Sequence, residues 1–125
     1  MAVERRADHR RTLGTEGEDA VTRWYVDAGY EIVDRNWRCR EGELDVVVSR
    51  GSLLVFCEVK TRRTNAFGIP AEAFTIAKQR RLRTLALRWL DAHPRVRAST
   101  LRFDVASVLA ERGRDPVIDV IEAAF

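Results

Sequence analysis

The repeat of apolar positions changes along the chain, and each change marks an element. Val21, Trp24, Tyr25 and Ala28 recur at helical spacing, which predicts a helix opening near Gly14. Thr15 and Glu18 have the spacing of a capping box at its start, and Gly29 supplies its C-terminal stop. Three strand-like runs follow at Tyr30–Asn36, Glu43–Ser49 and Ser52–Lys60, the last two joined by a tight turn at Arg50-Gly51. Residues 61–74, with Phe67-Gly68-Ile69-Pro70 among them, read as irregular. A second helix runs from about Thr75, its N-cap, to about Asp91. Its apolar stripe is Leu82, Leu85, Ala86 and Trp89, and His93-Pro94 ends it. Leu101–Val108 and Val117–Ile121 complete the set as a fourth and a short fifth strand. The order predicts an α/β domain over residues 14–125, a central mixed β-sheet flanked by helices. Residues 1–13 carry Arg5, Arg6, His9, Arg10 and Arg11 without periodicity and read as a basic flexible arm, or equally as a solvated tail without a partner.

The hairpin is where chemistry enters. With Arg50-Gly51 as a two-residue turn, Ser49 faces Ser52, Asp45 faces Phe56 and Glu43 faces Glu58. Alternation then places Glu43, Asp45, Phe56, Glu58 and Lys60 on one face. Leu44, Val46, Val48, Val55, Cys57 and Val59 share the other. Asp45 and Glu58 become diagonal neighbours roughly 7 Å apart at Cα, close enough to share an ion. Gathered carboxylates at the end of an apolar hairpin are costly unless a cation neutralises them. Hard oxygen donors at this density suit Mg²⁺ or Mn²⁺, with Asp45, Glu58 and the additional acid Glu43 as ligands. An E-x-K step alone is ordinary on a solvated strand face; the aspartate brought alongside it is what points to a site. Lys60 can orient an attacking water or stabilise a transition-state charge. Glu18 shares its helical stripe with Val21 and Tyr25, so it leans toward the sheet, with Glu16 the less well placed substitute. Lys78 lies on the stripe of the second helix with Gln79 beside it. Together with Arg62, Arg63, Arg80 and Arg81 they form the expected phosphate-facing set. Trp37 and Phe67 are candidates to stack on unpaired bases, although Phe67 suits the core better.

Composition sharpens this without redirecting it. A chain of 125 residues with 46% hydrophobic positions suits one core. Its net charge is only +3, but the only lysines are Lys60 and Lys78, and arginine supplies the rest of the 22 basic residues. Guanidinium forks match phosphate oxygens, so a nucleic-acid partner is expected. Cys39 and Cys57 are too isolated for zinc, and Cys57 reads as a buried small hydrophobe. With no signal-like or membrane-spanning run, the expectation is a soluble, cytoplasmic protein with no membrane partner.

Several stretches resemble one family closely. They are Gly14 to Ala20, Gly29-Tyr30, Arg35-Asn36, Gly42-Glu43-Leu44-Asp45 and Val55-Phe56-Cys57-Glu58-Val59-Lys60-Thr61-Arg62. Phe67-Gly68, Lys78-Gln79-Arg80-Arg81-Leu82, Arg102-Phe103-Asp104-Val105 and the terminal Ala124-Phe125 continue the match. In these the chain is similar to the YraN family of small bacterial proteins. The resemblance implies a restriction-endonuclease-like fold and a likeness to archaeal Holliday-junction resolvases and the PD-(D/E)XK nucleases. By that likeness the motif aspartate falls on Asp45, the E-x-K on Glu58 and Lys60, and the helical glutamate on Glu18. Leu44 stands where a proline often precedes the aspartate, and Glu43 is an acid the resolvases need not have. The expected function is a metal-dependent endonuclease cutting phosphodiester bonds in DNA, with branched or damaged DNA in repair or recombination as the setting. The competing expectations are a non-catalytic nucleic-acid-binding module with the same fold and an interaction protein whose acidic cluster is merely exposed. Cutting two strands symmetrically would favour a homodimer.

Overall fold

The computed structural model describes residues 2–64 and 75–125, with side-chain surroundings from Leu13 onward. Phe67-Gly68-Ile69-Pro70 lies outside the described residues. The elements are α1 (Ala2–Asp27), β1 (Glu31–Cys39), β2 (Gly42–Arg50), β3 (Leu53–Arg62), α2 (Ile76–Ala92), β4 (Thr100–Leu109) and β5 (Val117–Ile121). The sheet runs β1-β2-β3-β4-β5 in sequence order, antiparallel throughout except for the parallel β3–β4 pair. That parallel step needs a long crossover, and α2 lies within it. The result is an α/β fold with a five-stranded mixed sheet and two helices, as expected.

Each helix covers one face of the sheet. On one side Val21 and Tyr25 of α1 pack on Val46, Val48, Val55, Cys57, Ala106 and Val108. On the other, Leu82, Leu85, Ala86 and Trp89 of α2 pack on Val47, Leu54, Phe56 and Phe103. The four residues of the predicted α2 stripe are all buried. The Thr75 hydroxyl accepts the Lys78 backbone N–H at 3.2 Å, so the expected N-cap is in place. At the other end of α1, Tyr30 N–H reaches Tyr25 O at 2.9 Å and Gly29 N–H reaches Val26 O at 3.0 Å. With Gly29 at φ +92° and the Tyr25 and Tyr30 rings 5.2 Å apart, this is a Schellman stop with its apolar clasp. No helix of the described residues is long and apolar enough to cross a membrane.

Three expectations are corrected. First, α1 starts at Ala2, not near Gly14, so the segment read as a flexible arm is helical in backbone and Thr15 lies inside the helix instead of capping it. Arginine and alanine favour helix, and the rest of the long helix continues the same turn. Second, the β2–β3 turn is Gly51-Ser52, because Arg50 pairs with Leu53 and Val47 with Phe56. Gly51 takes the first central position with φ +59°, which a side chain disfavours. The shift moves every partner by two, so the parity of the pairing is kept and Val46, Val48, Val55 and Cys57 share one face as expected.

The third correction concerns alternation itself. Val46 lies in the α1-side core, whereas Leu44, two residues away, lies in the α2-side core. An unbroken strand would put both on one face. The partner strand is irregular at the same place: Asn36, between the paired residues Arg35↔Val46 and Trp37↔Leu44, has φ +54°. Asparagine tolerates this left-handed conformation, which interrupts the pleat of β1 opposite Asp45. Asp45 sits at the switch.

Candidate metal centre and its cations

The switch is what gathers acids from three elements. Main-chain pairing of β2 with β3 ends at Val46↔Cys57. One residue further on, Asp45 Oδ2 accepts the Val59 N–H at 2.8 Å, so a side chain takes over where the ladder stops. Oxygens of Asp45, Glu43 and Glu18 lie within 4.8 Å of one another. Glu18 reaches this point because α1 rests closely on β3: a Cβ built on the buried Gly17 would fall 1.8 Å from Thr61 Oγ1. Only glycine permits that approach.

Glu58 stands on the cleft side of the same group. Glu43, Asp45 and Glu58 line one small cleft with Lys78, Arg81, Leu82 and Leu85. Lys78 Nζ lies 2.8 Å from Glu58 Oε1, and Lys60 Nζ is 3.7 Å from the same oxygen. The structure thus brings together Glu18, Glu43, Asp45, Glu58, Lys60 and Lys78. Glu43 does not face Glu58 as the expected register had it; Arg38 pairs with it at 3.1 Å, and it turns toward Glu18 and Asp45.

Electrostatics single out Asp45. Burial pushes its carboxyl up to about 6, the Val59 N–H opposes this, and the charges of Glu18, Glu58 and Glu43 push it further in the same direction. Arg35 offsets part of the excess, lying 3.7 Å from Glu18 and 2.8 Å from Asp19, and its buried Nε has no hydrogen-bond partner. A group of hard oxygen donors with surplus negative charge fits a divalent cation such as Mg²⁺ or Mn²⁺. The residues that would hold it are Asp45, Glu43 and Glu18, with Glu58 available once it leaves its lysines.

The outer cations divide. Arg81 is exposed and lines the cleft, and Arg80 is exposed beside it. Gln79 and Arg62 are half-buried near the same end of the sheet. Arg63 is turned away, donating to Glu16 Oε2 and to Ala110 O at 3.1 Å each. Glu16 is thereby occupied, which leaves Glu18 as the acid at the centre. Trp37 packs in the α2-side core near His93.

Sequence reasoning missed the Lys78–Glu58 ion pair, the Gly17 contact and the network under α1. In that network Tyr25 Oη donates to the fully buried Asp104 at 2.6 Å, and Arg102 donates to both Asp104 oxygens at 2.9 Å. Burial drives the Tyr25 hydroxyl far above its ordinary range, so it stays a donor. Asp104 also accepts the Ala123 N–H at 3.0 Å, which ties the C-terminal turn to β4. A tyrosine on the apolar stripe of a helix was the available signal, since a buried hydroxyl needs a partner.

Fold and site together define a small α/β domain with an acidic, cation-edged centre at one end of its sheet. The chain belongs to the family described as Uncharacterised protein family UPF0102, which it matches over residues 17–108. This is the YraN-like group that the motif stretches indicated. It is 48% identical to the UPF0102 protein of Rhodococcus opacus over 117 residues, covering 94% of this chain and 98% of that one. It is 49% identical to the Nocardia farcinica relative over 120 residues, or 96% and 94% of the two chains. With the Frankia casuarinae relative it shares 50% identity over 113 residues, or 90% and 95%.

Proposed function

We propose that this protein is a metal-dependent endonuclease that hydrolyses phosphodiester bonds in DNA, built on a restriction-endonuclease-like fold. The observation that carries the reading is the meeting of Glu18, Glu43 and Asp45 within 4.8 Å, with Glu58, Lys60 and Lys78 beside them. It agrees with the PD-(D/E)XK resemblance at the aspartate, the E-x-K and the helical glutamate. When bound, a Mg²⁺ or Mn²⁺ ion would polarise the phosphodiester and acidify an attacking water. The protein's own groups do the rest. Asp45, fixed by the Val59 N–H, and Glu43 present oxygens from β2, while Glu18 presents one from α1. Lys60, on the same face as Glu58, orients the water or stabilises the developing charge. Arg80 and Arg81, exposed on α2, contact backbone phosphates without selecting sequence. Both cysteines are free thiols, which suits a reducing cytoplasmic compartment.

The test is incubation of the pure protein with junction, flap and single-stranded DNA in Mg²⁺ or Mn²⁺. Wild-type cleavage that disappears with Asp45→Ala and with EDTA is expected. Absence of cleavage by the wild type, or equal cleavage by Asp45→Ala, overturns the reading. Salt-sensitive DNA binding that survives Asp45→Ala without any cleavage would instead identify a non-catalytic binding module.

A further inference from the structure

The chain has only two lysines, and both ammonium groups converge on one atom, Glu58 Oε1, at 2.8 Å from Lys78 and 3.7 Å from Lys60. In every other ion pair among the described residues the cation is arginine or His93. The difference is chemical. An arginine fork grips a carboxylate through two parallel bonds, whereas an ammonium is a compact point charge on a flexible stem. Lysine is the cation to place where a contact must be given up.

The two lysines are also differently rooted. Lys60 lies on β3 only two residues from Glu58, so it stays beside that carboxylate. Lys78 comes from the first turn of α2, its backbone N–H fixed by Thr75 and its ammonium at the end of a four-carbon stem. The Glu58 side chain is only 14% exposed, so a carboxylate there is poorly hydrated and needs a cation against it. The same cleft holds the other acids and opens beside the exposed Arg81.

We propose that Lys78 is an exchangeable counter-ion. It holds Glu58 while the centre is free of metal, and it moves to a non-bridging oxygen of the bound phosphodiester when a divalent ion takes Glu58. This rests on the nuclease reading and adds a coupling to it. The ion gains Glu58 as a further ligand only by displacing an ammonium, so its affinity for the free protein is held down. A phosphodiester gives the displaced ammonium a new anion, so ion and diester strengthen each other's binding.

Titration of Mn²⁺ into the EDTA-stripped protein, with free Mn²⁺ read by electron paramagnetic resonance, tests this without any turnover. Lys78→Gln is expected to bind Mn²⁺ about tenfold more tightly than the wild type, a coupling of ordinary size. The gain is expected to vanish in the Glu58→Gln background, since the two residues then have nothing to exchange. Dimethyl phosphate, as the diester probe, is expected to tighten Mn²⁺ binding to the wild type and leave Lys78→Gln unchanged. Lys78→Met, which keeps the apolar stem, serves as a second variant if glutamine disturbs folding. Equal Mn²⁺ affinity in wild type and both Lys78 variants, or a gain that survives Glu58→Gln, overturns the exchange and leaves the nuclease reading standing. No Mn²⁺ binding by any of these proteins overturns both.

Discussion

Replacing Asp45 by asparagine is expected to make the metal-free protein more stable, although the same change removes a candidate ligand. The Asp45 carboxyl ionises at about 6 instead of the ordinary 3.8, chiefly because it is buried and then because Glu18, Glu58 and Glu43 surround it. Between those two values the folded chain binds more protons than the unfolded one, so stability falls as pH rises. The loss begins near the unfolded value and is complete above the folded one, where it amounts to roughly 3 kcal/mol. Asparagine has the same shape, still accepts the Val59 N–H, and carries no charge to be repelled. At pH 7.5 in EDTA, Asp45→Asn should therefore gain up to about 3 kcal/mol, or up to roughly 11 °C in Tm for a chain of this size. At pH 4 the difference should largely close. Added Mg²⁺ or Mn²⁺ should raise the Tm of the wild type and leave the variant unmoved. Urea denaturation at both pH values and thermal scans with and without the ion measure all of this. A variant less stable than the wild type at pH 7.5, or an advantage that persists unchanged at pH 4, refutes the reasoning.

Other perturbations follow from single contacts. Gly17→Ala should lower stability by roughly 1–3 kcal/mol, because the new Cβ meets Thr61 Oγ1 at 1.8 Å; without that contact, alanine in a helix interior would stabilise by about 1 kcal/mol, so the sign from urea denaturation decides. The same variant should weaken Mn²⁺ binding, since the next residue is Glu18. Tyr25→Phe removes a 2.6 Å hydrogen bond to buried Asp104 and should cost about 2 kcal/mol, read in the same denaturation assay; an unchanged midpoint would contradict the network. Arg80→Gln with Arg81→Gln should weaken DNA binding alike for unrelated sequences and flatten the log affinity against log salt plot by about 2. A sequence-dependent loss would mean that these arginines read bases.

Much of the architecture was legible because its signals are local. The stripe at Leu82, Leu85, Ala86 and Trp89, the Thr75 cap and the Gly29 stop each depend on a few neighbouring residues, and each is where it was expected. The nearness of Asp45 and Glu58 in one cleft was also legible, because the displaced turn keeps the parity of the hairpin. That is why misplacing the turn by one residue did no harm. The hidden parts are those set by single backbone angles or long-range packing. Nothing in the run Arg35-Asn36-Trp37 announces φ +54°, yet it is opposite this residue that Val46 and Leu44 part to opposite faces. Gly17 resembled any other glycine until Thr61, 44 positions away in the chain, was found against it. The start of α1 was missed because residues 2–13 have no apolar stripe, the feature on which the helix prediction relied.

The convergence of both lysines on Glu58 turns the centre into a chemical reporter. Apart from the terminal amine, every primary amine in the chain is at this one corner. A reagent that acylates amines and spares guanidiniums would therefore footprint that corner and the terminal amine, with arginine carrying charge silently elsewhere. Peptide mass mapping after brief acylation could then follow how loading the protein with ion or DNA changes the reactivity of two known positions, with no engineered label.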